Sequence, residues 1–192
     1  MSEHTQSFVQ HLVVLAKRDR GAMAALRRSL GFAPGSYPPS FPIVERFVAR
    51  GSPSSPYRLA LYLGAGLFAL NPRHQPGQPI GRALARQLID RYPDRRGQVT
   101  SLEQRFIALL SADADALPTH LRHAVQLLAA DERALDIVSL ISDLAGWLDE
   151  RDADRRDRIR QHWAIDFYRT LSHEAAPSDD EAGAATPHTA TA

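Results

Sequence analysis

Apolar residues recur through most of the chain at intervals of three and four, the period of helices with one buried face. No segment shows the strict alternation of a half-buried strand. Over residues 6–19 the stripe is Phe8, Leu12 and Leu15, and a second helix is predicted over 22–30, stopped by Gly31. The stretch FAPGSYPPS packs three prolines and a glycine into nine residues, so it reads as loop rather than helix. A helix over 41–50 follows, closed by Gly51 and SPSSP. Residues 57–70 are strongly apolar and predict the central helix of a lobe. NPRHQPGQP breaks the chain, and residues 80–90 resume as helix.

YPDRRGQ marks a plausible boundary between two lobes. Beyond it, Thr100 and Glu103 have the spacing of a capping box that opens a helix running to about Ala112. Pro118 suits the first turn of a helix running to about Ala130. Residues 135–148 place Ile137, Leu140, Ile141, Leu144 and Leu148 on one face, and a last helix over 155–171 carries Ile159, Trp163 and Phe167. Residues 173–192 hold Ala, Thr, Ser, Pro and acids without periodicity, the composition of a disordered acidic tail. The expectation is an all-α protein of about nine helices in two small bundles. A basic N-terminal bundle would span 1–96 and a second bundle 97–172.

At 192 residues with 44% apolar and 23% charged side chains, the chain has ordinary globular composition and can bury a core without metal or disulfide support. No apolar run approaches the ~20 residues of a spanning helix. The N-terminal stretch lacks the order of a signal peptide. Without cysteine there is no thiolate chemistry and no Cys-ligated zinc. A soluble, cytoplasmic protein with no membrane partner is expected.

The net charge of +1 conceals an asymmetry. Residues 1–110 hold 15 Lys and Arg against 6 Asp and Glu; residues 111–192 hold 8 against 16. A half with that basic excess suggests a polyanion-binding face. All the basic residues but Lys17 are arginine, which suits bidentate phosphate contact. GC-rich coding gives the same arginine bias, so the charge split carries more weight.

Enzyme constellations do not emerge. GAGLFA at 64–69 matches a loose dinucleotide fingerprint, but that motif needs a preceding strand, and YRLALYL continues as helix. Gly64, Ala65 and Gly66 are better read as sites of close helix packing. His120 and His123 are three apart on a helix but lack further ligands nearby and read as surface histidines. DAD at 113–115 opens like a calcium loop, yet the stretch has no central glycine and places Ala124 where the closing Glu belongs. Asp113 and Asp115 are read as capping and turn residues. No catalytic, metal or cofactor residues are assigned.

The arginines are more informative. Arg27 shares a helical face with Met23, Leu26 and Leu30. It can snorkel, pair with a buried acid, or meet a partner's phosphate. Arg28 points about 100° further round and should be exposed. Arg82 and Arg86, four apart, share a face and repel each other unless an anion bridges them. Arg105 flanks the stripe of Leu102, Phe106 and Leu109, and Arg122 lies off the stripe of Leu117, Leu121, Val125 and Leu128. Without a recognition-helix pattern, contact with nucleic acid would be to backbone, without base readout.

Four stretches carry a family resemblance: ALRRSLGFAPGSYP (25–38), IGRALARQL (80–88), SLEQRFIALLSAD (101–113) and LRHAVQLL (121–128). In order and spacing, from about Phe8 to Tyr168, the chain resembles the CasB family, the small subunit of the type I-E CRISPR surveillance complex Cascade. The resemblance implies an all-α pair of small bundles without enzymatic activity or cofactor. It also implies assembly as a head-to-tail pair beside the backbone and large subunits. The basic surface would stabilise the R-loop of guide RNA and target DNA. Arg27 and Arg28 occupy the family's RR position and Arg82 its GRA position, while Arg105 and Arg122 match arginines of the later motifs. His123 stands where some relatives carry a second arginine. The competing expectation is an architectural subunit whose arginines meet acidic faces of neighbouring Cascade subunits or of a second copy.

Overall fold

The computed structural model describes residues 2–48, 54–93 and 99–174. Among them are nine α-helices: α1 (Ser2–Arg18), α2 (Arg20–Ser29), the single turn α3 (Phe41–Val44), α4 (Pro56–Leu70), α5 (Ile80–Arg91), α6 (Ser101–Leu110), α7 (Leu117–Ala130), α8 (Ile137–Trp147) and α9 (Ala153–Glu174). The all-α expectation holds.

Local chemistry sets the helix ends. Asp19 caps α2, its Oδ1 accepting from Ala22 N at 2.8 Å. The Thr100 hydroxyl accepts from Glu103 N at 3.2 Å and opens α6; Asp136 Oδ1 does the same for Ser139 N at 3.1 Å and opens α8. Pro56 and Pro118 sit in first turns, where the missing N–H is no loss.

Several boundaries differ from the sequence reading, the start of α1 at Ser2 rather than at residue 6 among them. The loop FAPGSYPPS ends in a 3-10 turn, Pro38–Ser40, because a proline with its fixed φ can start a turn as well as break one. The helix expected over 41–50 stops at Val44, tightens to a 3-10 turn at Glu45–Phe47 and turns extended at Val48. The last helix begins at Ala153 and includes residues 173 and 174. The remainder of the expected tail, residues 175–192, lies outside the described residues.

The helices gather in two groups. One holds α1, α2, α4 and α8; the other holds α5, α6, α7 and α9, with α4 against α7 and α8 against α9 joining them. The expected boundary at 96/97 falls between α5 and α6, both members of the second group, while α8 from beyond it packs in the first. Small residues permit the tight crossings. A Cβ on Gly64 would lie 2.3 Å from Ile141 Cγ1, and one on Gly66 would lie 2.7 Å from Leu30 Cδ2. The GAG segment is thus where α4 meets α8 and α2. The buried core is continuous, with Trp147 against Trp163 and Phe106 stacked on Phe167 at centroid separations of 4.9 and 4.1 Å.

One tether had no periodic signature. Residues 71–78 run beside 133–136, with Gln75 N donating to Leu135 O at 3.1 Å and Leu135 N to Arg73 O at 3.0 Å. The buried Asn71 donates from Nδ2 to Arg133 O, and Gly77 N donates to Asp136 Oδ2 at 2.9 Å. This ties the loop before α5 to the loop before α8.

Candidate nucleic-acid interface

Two sets stand out among the arginines. In one, an internal acid holds the guanidinium. Arg91 makes a two-point pair with Asp131 at 2.6 and 2.7 Å, Arg58 and Arg133 pair with Glu45 and Asp90, and Arg73 reaches Glu132 at 3.0 Å. The Arg91 hydrogen bonds hold the Asp131 carboxyl below the usual carboxylate range, against the effect of burial. In the other set are Arg27, Arg28, Arg105 and Arg122. All four are exposed, and none has an acid partner among the described residues. For Arg27 this removes one of the three options, the buried acid, among the described residues.

Arg27 and Arg28 lie in the last turn of α2, where the helix tightens. Leu30 N donates to Arg27 O at 3.3 Å and Gly31 N to Arg28 O at 3.0 Å. Two cations at the C-terminal end of a helix meet the negative end of its dipole. The turn beyond them shares a cleft with Pro118 and Thr119 at the start of α7.

Arg82 and Arg86 lie in a different place. Gly81 lets α5 cross α9 closely, so the face of α5 carrying both arginines meets a polar stripe on α9: Asp166, Arg169, Thr170 and His173. Together these six residues line a cleft of about 320 Å³. Arg82 Nη1 donates to Gly77 O at 3.0 Å and Arg86 Nη1 to Gln78 Oε1 at 3.1 Å. The tethered loop before α5 therefore fixes their direction. Among the described residues, Asp166 is the one acid lining this cleft. With three guanidiniums and an imidazole against one carboxylate, the cleft can accept an anion.

Arg105 lines a third site, a groove of about 430 Å³ between α6 and α7. It is shared with His120 and His123 and floored by Leu84, Leu102 and Phe106. Arg122 is on α7 but outside that lining. The six arginines named from sequence thus occupy the tip of α2, the α5–α9 cleft and the α6–α7 surface. Among the described residues no group of three or more His, Asp or Glu could hold a metal ion. No helix among them is long and apolar enough to cross a membrane.

Comparison with known proteins decides the family. The family model for CRISPR-associated protein Cse2 matches residues 22–168. The chain belongs to the Cse2 family, also known as CasB. The Cse2 protein of Thermus thermophilus is 42% identical over 148 residues, spanning 77% of this chain and 78% of its own. The crystal structure of CasB from Thermus thermophilus matches with a TM-score of 0.69 at 35% identity, over 85% of this chain and 97% of that one. A chain from a structure of a CRISPR RNA-guided surveillance complex matches with a TM-score of 0.73 at 27% identity, over 90% and 96%.

Within this Cse2 chain, Arg169 and His173 join the arginine cleft without having been singled out in the sequence. Their signal was present as the i, i+3, i+4, i+7 stripe from Asp166 to His173. It reads as a solvated helix face until the crossing at Gly81 turns it toward Arg82 and Arg86.

Proposed function

We propose that this Cse2 chain is a non-catalytic, nucleic-acid-binding small subunit of a Cascade surveillance complex. It would stabilise the R-loop through sequence-independent contacts to phosphate. The observation that carries this reading is a contrast among the arginines: those of the RR, QRF and LRH motifs stand exposed without an acid partner among the described residues, while Arg58, Arg73, Arg91 and Arg133 are held by the fold's own acids. Arg27, Arg28, Arg105 and Arg122 would contact backbone directly. Arg82 and Arg86, with Arg169 and His173, would hold one phosphate group or more in the α5–α9 cleft.

The physics follows from the energetics of strand exchange. Replacing a DNA duplex by a guide–target heteroduplex is nearly neutral, so contacts of protein to backbone tip the balance. A displaced strand held in a basic groove re-anneals more slowly. Sequence information would come from the guide, and cleavage from a separate component. Partners would be the backbone and large subunits, a second copy of this chain, guide RNA and target DNA.

The charge split favours one second reading, an architectural role in which the arginines meet acidic faces of neighbouring subunits or the acidic half of a second copy. Reconstitution with the Arg27→Ala/Arg28→Ala variant separates the two. The groove reading predicts complete assembly with faster loss of target DNA; the architectural reading predicts failure to incorporate the subunit.

A further inference from the structure

The turn that follows Arg27 and Arg28 carries an aromatic pair that the fold does not need for its core. Phe32 stacks on Tyr37, with ring centroids 4.8 Å apart and planes 26° from parallel. With Tyr37 against it, Phe32 still keeps 54% of its surface in solvent. The cost of leaving so large an apolar surface wet gives the exposure significance, particularly beside two unpaired cations.

The backbone makes this arrangement rigid. Phe32 N donates to Ser29 O at 3.0 Å, continuing the tightened end of α2, so Phe32 stands one turn beyond Arg28, about 6–8 Å along the axis. Ser36 N returns to Ala33 O at 3.0 Å, and the Ser36 hydroxyl donates to the same oxygen at 2.6 Å. Gly35 takes φ +79°, and a Cβ there would strike the Arg58 guanidinium at 2.5 Å. This reversal brings Tyr37 back onto Phe32. Beyond the ring lies a cleft of about 380 Å³ whose other side carries Asp115 and Glu150. Those carboxylates repel a polyanion, so a strand approaching the ring must run its phosphates along the α2 side, over Arg27 and Arg28.

We infer that Phe32, backed by Tyr37, is a stacking platform for an unpaired base of a single strand whose phosphates lie on Arg27 and Arg28. This rests on the nucleic-acid reading above and deepens it: the α2 tip takes single-stranded nucleic acid in preference to duplex, because only an unpaired base offers a free face. Stacking of this kind tolerates any sequence.

The test uses the full chain and two labelled DNA single strands of equal length, one normal and one built from abasic sites. Wild-type protein and Phe32→Ala are titrated at one low salt concentration, with circular dichroism as the folding control. The wild type is expected to bind the normal strand about fivefold or more tightly than the abasic strand. Phe32→Ala is expected to lose that preference and to keep the wild-type affinity for the abasic strand. Phe32→Trp should retain the preference, with indole fluorescence quenched by the normal strand alone. Equal wild-type affinity for both strands overturns the platform and leaves phosphate binding standing. A Phe32→Ala loss that is the same for both strands also overturns it, as does unchanged binding with impaired self-association. Failure of wild type to bind either strand overturns the platform and the nucleic-acid reading together.

Discussion

Gly81 of α5 lies under the main chain of α9 at Trp163: a Cβ added there would sit 2.4 Å from the Trp163 carbonyl oxygen and 3.2 Å from Phe167 N. Both neighbours are helix backbone and cannot swing aside. Gly81→Ala would gain about 1 kcal/mol of helix propensity, but forcing two packed helices apart costs about 1–3 kcal/mol or more. The clash wins. Expected is a fall in Tm of about 2–8 °C in thermal unfolding. The same substitution should weaken anion binding in the α5–α9 cleft, since it separates Arg82 and Arg86 from Arg169 and His173.

A second relationship concerns Asp143, which accepts from Trp163 Nε1 at 2.7 Å. Burial pushes this carboxyl up from its ordinary value of 3.8, against the smaller opposing effect of the indole hydrogen bond. A raised carboxyl favours the folded state in its neutral form, so its contribution is whole below pH 3.8 and lost as pH rises through the folded value. Asp143→Asn keeps an acceptor for Trp163 and removes the ionisation. The variant should melt higher than wild type at pH 7, with the difference shrinking as pH falls toward 3.8. A pH-independent difference in Tm would contradict this.

The cluster of Glu45, Arg58 and Tyr62 has the opposite sign. Tyr62 OH donates to Glu45 Oε1 at 2.7 Å and Arg58 Nε donates to the same oxygen at 3.1 Å. The tyrosine hydrogen bond first, and Arg58 next, hold Glu45 below its ordinary 4.5, while burial and the carboxylate push the Tyr62 phenol up. A depressed carboxyl contributes stability that is whole above pH 4.5 and lost as pH falls toward the folded value. Tyr62→Phe should cost about 1 kcal/mol at pH 7, the low end for a hydrogen bond to a charge because the Glu45 side chain is 41% exposed. That cost should vanish in denaturation curves taken below the titration of Glu45.

Much of this was legible along the chain. Thr100 caps α6 as its spacing required, and GAG is a packing site because YRLALYL is helix. The periodic stripes were sufficient because each buries one face, and period is all that such burial demands. What stayed hidden was non-local. The pairing of 71–78 with 133–136 leaves no period, because main-chain hydrogen bonds are indifferent to side-chain type. The apolar pattern around Arg27 left three roles open, and only the fold shows that α2 turns Met23 and Leu26 inward and leaves Arg27 exposed. The α9 stripe gained meaning only through its crossing with α5.

Removing the two cleft residues that sequence did not mark offers a functional prediction. Arg169→Ala/His173→Ala should lower single-strand affinity most at low salt. It should make the log–log salt slope shallower by about 0.7 for each phosphate no longer neutralised. Melting temperature should change little, since both side chains are exposed. Unchanged affinity and slope would place nucleic acid elsewhere on the surface.

The central claim is that exposed, acid-free arginines form a sequence-independent phosphate surface. The most direct measurement titrates the folded chain against single-stranded DNA, duplex DNA and RNA over a series of salt concentrations, beside Arg27→Ala/Arg28→Ala. The account predicts binding indifferent to sequence and falling steeply with salt, with a single-strand slope of about −0.7 per phosphate neutralised that the variant makes shallower. No binding at low salt by either folded protein, or an identical slope for both, would contradict it.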